Sequence, residues 1–259
     1  MTTRQAGLKL INVGLSPLGV RLLGPGETQK YLHGDPTPHQ LRTGLFHRMG
    51  KKGLDVRHVV DVGAHRAGWS RDAREVWPSA AFTLIEPLEE LGPDLKRFIA
   101  ESPDGKATWI HAGAGAMDGE LTFTALPDKP DAGTFRMSET ESQAAGGSRR
   151  SVPVRTLDSI CAGAPAPEIV KIDAEGLDID VLRGASTLIG KTEVFFVELP
   201  MFEFFDNQSL HSILEFMRNA GYEPFDITDM NRRPSDGALG LIEVAFAKRN
   251  GVLRDHNGW

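Results

Sequence analysis

Apolar residues along this chain fall into short unbroken runs separated by segments in which apolar positions recur every three or four residues. Arg57–Val62, Ala80–Ile85, Ala107–Ala112, Glu168–Ile172 and Thr192–Val197 are such runs, and runs of this length without polar alternation read as strands buried on both faces. The intervening spacing is helical. Trp69 to Trp77 predicts a helix stopped by Pro78, Leu88 to Ala100 a second, and Leu177, Val181 and Leu182 the inner face of a third. Leu210, Ile213, Leu214 and Met217 predict a fourth, begun near Asn207 or Ser209 and closed by Gly221. Upstream, Leu41, Leu45, Phe46 and Met49 place a helix over Pro38–Lys52, packed on the sheet just before the first strand.

Strands alternating with helices through short connections predict a doubly wound, mostly parallel sheet with right-handed crossovers. Two last strands, near Tyr222–Ile227 and Leu239–Lys248, bring the expected sheet to seven, with helices on both faces. The fold class is therefore α/β and Rossmann-like. Residues 1–56 are expected to form an N-terminal arm and a helix packed on the core, and residues 57–259 the core of a single domain.

The middle of the chain differs. Glu120–Ala125 alternates like a strand and Ser151–Arg155 looks like its partner, but Pro127 to Ser148 carries little hydrophobic content. A segment of this kind is either a mobile lid or disordered. Residues 1–35, rich in Gly and Pro, read as an irregular or partly helical arm.

A formal net charge of -6 disfavours nucleic acid and anionic membranes as partners. The single cysteine, Cys161, excludes an intramolecular disulfide and a Cys-cluster metal site, suits a reducing cytoplasm, and is expected to be a buried small hydrophobe. Leu8 to Leu23 is interrupted by Lys9, Asn12, Pro17 and Arg21 and is not expected to act as an export signal. No apolar run approaches the roughly 18 residues of a membrane span. A soluble, cytoplasmic protein is the expectation.

The carboxylates give the chemistry. Asp61, Glu86, Asp173 and Glu198 each fall at the carboxyl end of a predicted strand, the edge where open α/β sheets bind ligands. A dinucleotide site wants glycines and a helix N-terminus at the pyrophosphate, whereas here G-x-G-x-x-G is missing and Asp61 stands just before Gly63. S-adenosylmethionine, with a sulfonium and an ammonium against one carboxylate, suits an acidic rim. Glu86 is then placed to accept both ribose hydroxyls.

Val59–Ser70, Leu84-Ile85-Glu86-Pro87, Asp118–Phe123, Val154–Ile160 and Val170–Gly176, followed by Val181–Ala185, resemble the successive motifs of the FkbM-type S-adenosylmethionine-dependent methyltransferases. The resemblance spans roughly residues 57–200, and its most specific part is Lys171-Ile172-Asp173-Ala174-Glu175-Gly176 with Leu182-Arg183-Gly184-Ala185 after it. It implies a class I methyltransferase fold and O-methylation of a sugar, glycan, polyketide or similar small metabolite. Two positions depart from the family pattern: His65 replaces Asn and Ala67 replaces Gly. Alanine is expected to take helical dihedrals there without strain, and His65 either touches the methionine end of the cofactor or caps the helix.

Within this resemblance Gly63 lets the backbone approach the methionine moiety, Asp61 orients its amino group and Glu86 holds the ribose, with Ala64, His65, Pro87 and Asp173 as further cofactor contacts. Gly115 and Ala116, or Asp118, would lie near the adenine; Asp118 reads equally as a turn residue. Asp173, Glu175 and Glu198 are the candidates for catalysis, either through a general base for the acceptor hydroxyl or by holding Mg²⁺. Glu175 also reads as a helix cap or a partner of Lys171 or Arg183, and His111 and His211 are alternative bases. Phe195 and Phe196 are expected in the core, and Phe202, Phe204 and Phe205 around an acceptor pocket. Arg149 and Arg150 either meet an anionic acceptor or form a solvated pair. A nicotinamide-dependent oxidoreductase on a similar sheet and a non-catalytic cofactor-binding protein are the rival readings; the sequence leaves the oligomeric state open.

Overall fold

The computed structural model describes residues 36–126, 129–134, 138–144, 146–203, 208–233 and 235–255. In chain order the elements are α1 (Pro38–Lys51), β1 (His58–Val62), α2 (Gly68–Val76), β2 (Ala81–Ile85), α3 (Gly92–Ala100), β3 (Ala107–Ile110), β4 (Gly113–Ala114), β5 (Gly119–Leu126), β6 (Lys129–Thr134), α4 (Glu139–Ala144), β7 (Ser148–Arg155), α5 (Leu157–Ile160), β8 (Ile169–Ile172), α6 (Asp178–Arg183), β9 (Val194–Pro200), α7 (Leu210–Asn219), β10 (Tyr222–Arg232) and β11 (Leu239–Lys248).

The main sheet has seven strands in the order β10-β11-β9-β8-β1-β2-β3. β1 pairs in parallel with β2 and β8, and β8 in parallel with β9, while β11 runs antiparallel to both β9 and β10. The order reverses between β1 and β8, so their carboxyl ends form the crevice in which such sheets hold ligands. This is the mostly parallel α/β sheet anticipated from the apolar runs.

Helices cover both faces, each for a local reason. α1 opens on a capping box in which Thr37 accepts from the Gln40 backbone and Gln40 reaches back, with Pro38 in its first turn. It buries Leu45, Phe46 and Met49. The Phe46 ring meets Trp69 edge-on at 5.1 Å and Phe196 at 5.6 Å, an aromatic cluster that ties α1 to α2 and to the sheet. α7 begins on a capping box at Ser209 and ends before Gly221, whose φ of 86° glycine takes without strain. Phe195 and Phe196 are both core residues, on opposite faces of β9.

Two features depart from the sequence expectation. β9 runs on through Glu198 to Pro200 because antiparallel β11 continues the ladder past the end of β8, pairing Glu243 with Glu198 and Leu241 with Pro200. Glu198 therefore lies inside a strand and not at its end. The polar middle segment also contains order: β6 pairs with β5, α4 follows, and β4-β7-β5-β6 make a second, four-stranded sheet. Most of the expected N-terminal arm, residues 1–35, lies outside the described residues. No helix among the described residues is long and apolar enough to cross a membrane.

Candidate functional site

The loop from β1 into α2 is shaped by three residues in the left-handed region: Gly63 at φ 68°, His65 at 49° and Ala67 at 57°. Gly63 is required by a close approach, since a Cβ there would stand 1.8 Å from the Asp173 carbonyl oxygen. Its N–H and that of Ala64 donate to the Ile85 carbonyl at 2.9 and 3.1 Å, which hangs the loop from the end of β2. Ala67, expected to be helical, is left-handed instead and costs about 1 kcal/mol, the penalty a glycine avoids. It is the N-cap of α2 and supplies no side-chain cap. His65 contributes its backbone N–H, which donates to Glu86 Oε2 at 2.8 Å.

Glu86 is buried directly after β2. Its Oε1 accepts from the Leu88 N–H at 2.9 Å, so each oxygen has one backbone donor and keeps acceptor capacity for a further hydroxyl. Burial pushes its pKa up, against the opposing pull of those two N–H groups. Behind it, Trp109 Nε1 donates to the Glu86 carbonyl at 2.9 Å and His111 Nε2 lies 3.0 Å from the Pro87 carbonyl.

At the switch point lies a group the sequence reading used only as a surface partner. Lys171, in β8, is 4% exposed. Its ammonium donates to the carbonyls of Val62 at 3.1 Å and Gly63 at 2.8 Å, and stands 3.5 Å from Asp61 and 3.3 Å from Asp173. Burial alone would lower its pKa, but Asp173, Asp61 and Glu243 together raise it, so it is a cation fixed between two acids. A lysine inside the all-buried run Ile169-Val170-Lys171-Ile172 was the signal available in the sequence. Asp61 is wholly buried beneath it and does not line the cavity. Its Oδ2 accepts from Ser70 Oγ at 2.5 Å, and its Oδ1 accepts no hydrogen bond among the described residues.

Past β8 the acids gather. Glu175, left-handed at φ 51°, keeps contact with solvent but has protein on most sides; burial, then repulsion from Asp173 and Asp178, pushes its pKa up to about 8, with Lys171 opposing. Glu198 is pushed up by burial and by Asp173, Asp178 and Glu175. Arg183, one of the partners considered for Glu175, pairs with Asp180 at 2.9 Å, and Asp178 Oδ1 accepts from the Ala174 N–H at 2.8 Å within the turn between β8 and α6. Among the described residues no three His, Cys, Asp or Glu converge on a metal position, so the Mg²⁺ reading of Asp173, Glu175 and Glu198 finds no support among them.

These elements enclose a cavity of about 380 Å³, within the usual range for small-ligand sites. One wall holds Gly63, Ala64, His65, Glu86 and Pro87, and the floor holds Lys171, Asp173 and Glu175. β4 and β5 cover it with Gly113, Ala114 and Phe123. The far end comes from Arg42 of α1, Trp69 of α2, Asp229 of β10 and Glu243 of β11, none of which was singled out from sequence. Glu243, a lone acid in the apolar run of β11, was the visible sign.

Other expected residues stand outside the cavity lining. Gly115 packs so closely on Val154 that a Cβ would lie 2.9 Å from its Cγ1. Ala116 follows it, and exposed Asp118 accepts from the Thr156 N–H at 2.6 Å and Ser159 Oγ at 3.0 Å, which hold its carboxyl below the usual range. Exposed Phe202 lies beneath the Arg233 guanidinium, and Phe204 and Phe205 lie outside the described residues. Arg149 pairs with Glu139, and Arg150 with Glu90 through two bonds of 2.8 and 3.0 Å.

The donor set suits S-adenosylmethionine. A buried carboxylate with spare acceptor capacity stands at the end of β2, the β1 loop is folded tightly against β8, and acids border the space where a sulfonium would lie. Among solved structures the chain is similar to a magnesium protoporphyrin IX methyltransferase from Synechocystis PCC 6803 with bound S-adenosylmethionine, at 8% identity, 82% coverage of this chain, 79% of that one and a TM-score of 0.47. It is also similar to a precorrin-6y C5,15-methyltransferase from Geobacter metallireducens GS-15, at 11% identity, coverage of 80% and 87% and a TM-score of 0.45. A 1,6-didemethyltoxoflavin-N1-methyltransferase from Burkholderia thailandensis, with bound 1,6-didemethyltoxoflavin and S-adenosylhomocysteine, gives 13%, 89% and 93%, and 0.43. No curated protein matches the chain. The methyltransferase FkbM domain model matches residues 61–224, from the buried Asp61 to Pro224 near the start of β10, and the chain belongs to that family of S-adenosylmethionine-dependent methyltransferases.

Proposed function

We propose that this protein O-methylates a hydroxyl of a sugar, glycan, polyketide or other small metabolite, with Glu175 as the general base. The observation that carries the reading is Glu175 itself, a cavity-lining carboxyl beside Asp173 with its pKa pushed up to about 8. A carboxyl so placed can take a proton from an alcohol near neutral pH far better than an ordinary one.

S-adenosylmethionine supplies, when bound, a methyl group on a positively charged sulfur. Glu86 would hold its ribose, and the Gly63–His65 loop its methionine end, with Lys171 fixing that loop to Asp173. The protein's own work is to orient the acceptor and manage one proton. Glu175 Oε would receive the proton of the acceptor hydroxyl as that oxygen bonds to the methyl carbon, whose bond to sulfur would break with the electron pair left on sulfur, so that S-adenosylhomocysteine is the leaving group. Phe123 and Trp69 reduce the access of water, so the acceptor does not compete with it. Asp173, tied to Lys171 at 3.3 Å, is a positioning residue for the Glu175 loop.

The test is transfer of labelled methyl from S-adenosylmethionine into a fractionated cell extract, with product identification and an RNA fraction as one arm. Label in a small-molecule or glycan hydroxyl, lost in Glu175→Gln, is expected. Tight S-adenosylhomocysteine binding with no transfer to any fraction, or label at nitrogen or in RNA, refutes the reading.

A further inference from the structure

Three of the four residues at the far end of the cavity, Arg42, Asp229 and Glu243, lie outside the stretch matched by the family model, residues 61–224. The family-matched stretch therefore does not by itself shape this end; α1 and the β10–β11 hairpin contribute most of it. Glu243 is 7% exposed. Both of its hydrogen bonds, from Trp69 Nε1 at 3.2 Å and Thr228 Oγ1 at 2.5 Å, fall on Oε1. Its Oε2 accepts none among the described residues and belongs to a side chain that lines the cavity. Glu198 is its direct register partner across β9 and β11, and residues so paired project from the same face of a sheet, where like charges repel. Arg42, bound to Asp72 at 2.7 Å, and Lys171 both attract Glu243, but neither hydrogen-bonds its Oε2. Among the described residues that line the cavity are five acids, Glu86, Asp173, Glu175, Asp229 and Glu243, against two permanent cations, Arg42 and Lys171.

We infer that Glu243 Oε2 is the recognition point for a protonated amine on the acceptor, so that the substrate is an amino-bearing hydroxy compound, such as an amino sugar, and not a neutral or acidic one. An ammonium donates to Oε2 and offsets the repulsion that Asp229 exerts on Glu243. A carboxylate or phosphate on the acceptor would meet acids from three directions. The inference rests on the methyltransferase reading and names its substrate class.

Three probes on one ring scaffold separate the alternatives: glucosamine, N-acetylglucosamine and glucuronic acid, titrated by ligand-observed NMR against the full chain saturated with S-adenosylhomocysteine. Glucosamine should bind at least ten-fold tighter than either of the others. Glu243→Gln, which keeps the size of the side chain and an acceptor for Trp69 and Thr228, should abolish that preference; Asp229→Asn should weaken it. A preference for the neutral or acidic probe, no measurable binding of glucosamine, or an unchanged ratio in Glu243→Gln overturns the inference. S-adenosylhomocysteine affinity, measured in the same samples, tests the methyltransferase reading separately, since its loss in the unmutated protein would count against the cofactor and not the amine.

Discussion

Replacing Lys171 by methionine tests whether the ammonium holds the switch point together. The variant keeps the length and most of the volume of the side chain but removes the charge and two hydrogen bonds, those to Val62 and Gly63. At the observed separations of 3.5 and 3.3 Å, each ion pair is worth about 5 kcal/mol at an effective dielectric near 20. The lysine's own desolvation offsets several kcal/mol of this, so the net loss is about 3–5 kcal/mol, as when one partner of a buried pair is removed. Most of that loss comes from wholly buried Asp61, which the variant leaves with no cation beside it. Lys171→Met/Asp61→Asn removes that stranded charge and should recover at least about 1 kcal/mol, a coupling visible in a double-mutant cycle. Urea denaturation of the two single variants and the double variant gives the comparison, with unchanged m-values as the check that the same transition is followed. A Lys171→Met cost below about 1 kcal/mol, or a double variant no more stable than Lys171→Met, refutes the argument.

Gly63→Ala should fail to bind S-adenosylhomocysteine in calorimetry, and should be destabilised by several kcal/mol, because its Cβ would stand 1.8 Å from the Asp173 carbonyl oxygen. With Glu175 raised to about 8, single-turnover methyl transfer should climb as pH rises through that value, and Glu175→Gln should flatten the profile; a flat profile in the unmutated protein removes Glu175 as the base. Because this carboxyl holds its proton longer folded than unfolded, its contribution to stability is full below the ordinary carboxylate range and lost as pH rises toward 8, so Glu175→Gln should lessen the loss of stability over that span. Cys161, buried and with its thiol pushed up to about 11 by burial and by Asp158, should resist iodoacetamide at pH 8 until the protein is unfolded, which mass spectrometry reads directly.

How much was legible in the chain depended on whether the cause was local. The strands of the main sheet, the spacing of α1, the capping of α7 and the position of Glu86 follow from periodicity, caps and turn residues, which act within a few positions. The acid at the end of β2 needed no tertiary knowledge, because a strand end in a parallel sheet already faces the crevice. Ala67 was misread because its left-handed φ is imposed by the way Gly63 and Ala64 hang from Ile85, a constraint from another strand. Glu198 was placed at a strand end because nothing in β9 itself announces that β11 will extend the ladder beyond β8.

The far end of the cavity was illegible for the same reason. Arg42, Trp69, Asp229 and Glu243 come from four elements, and their convergence is a product of helix packing and hairpin register. Lys171 is the intermediate case: its burial inside an apolar strand was readable, but the two acids and two carbonyls around it belong to the end of β1, the loop after it and the turn after β8. By itself the sequence determined a doubly wound sheet with acids along one edge, since both follow from local patterning. Only the tertiary structure decided which of those acids face the cavity, which are locked beneath a buried lysine, and which face each other across a strand, because those are distances between residues far apart in the chain.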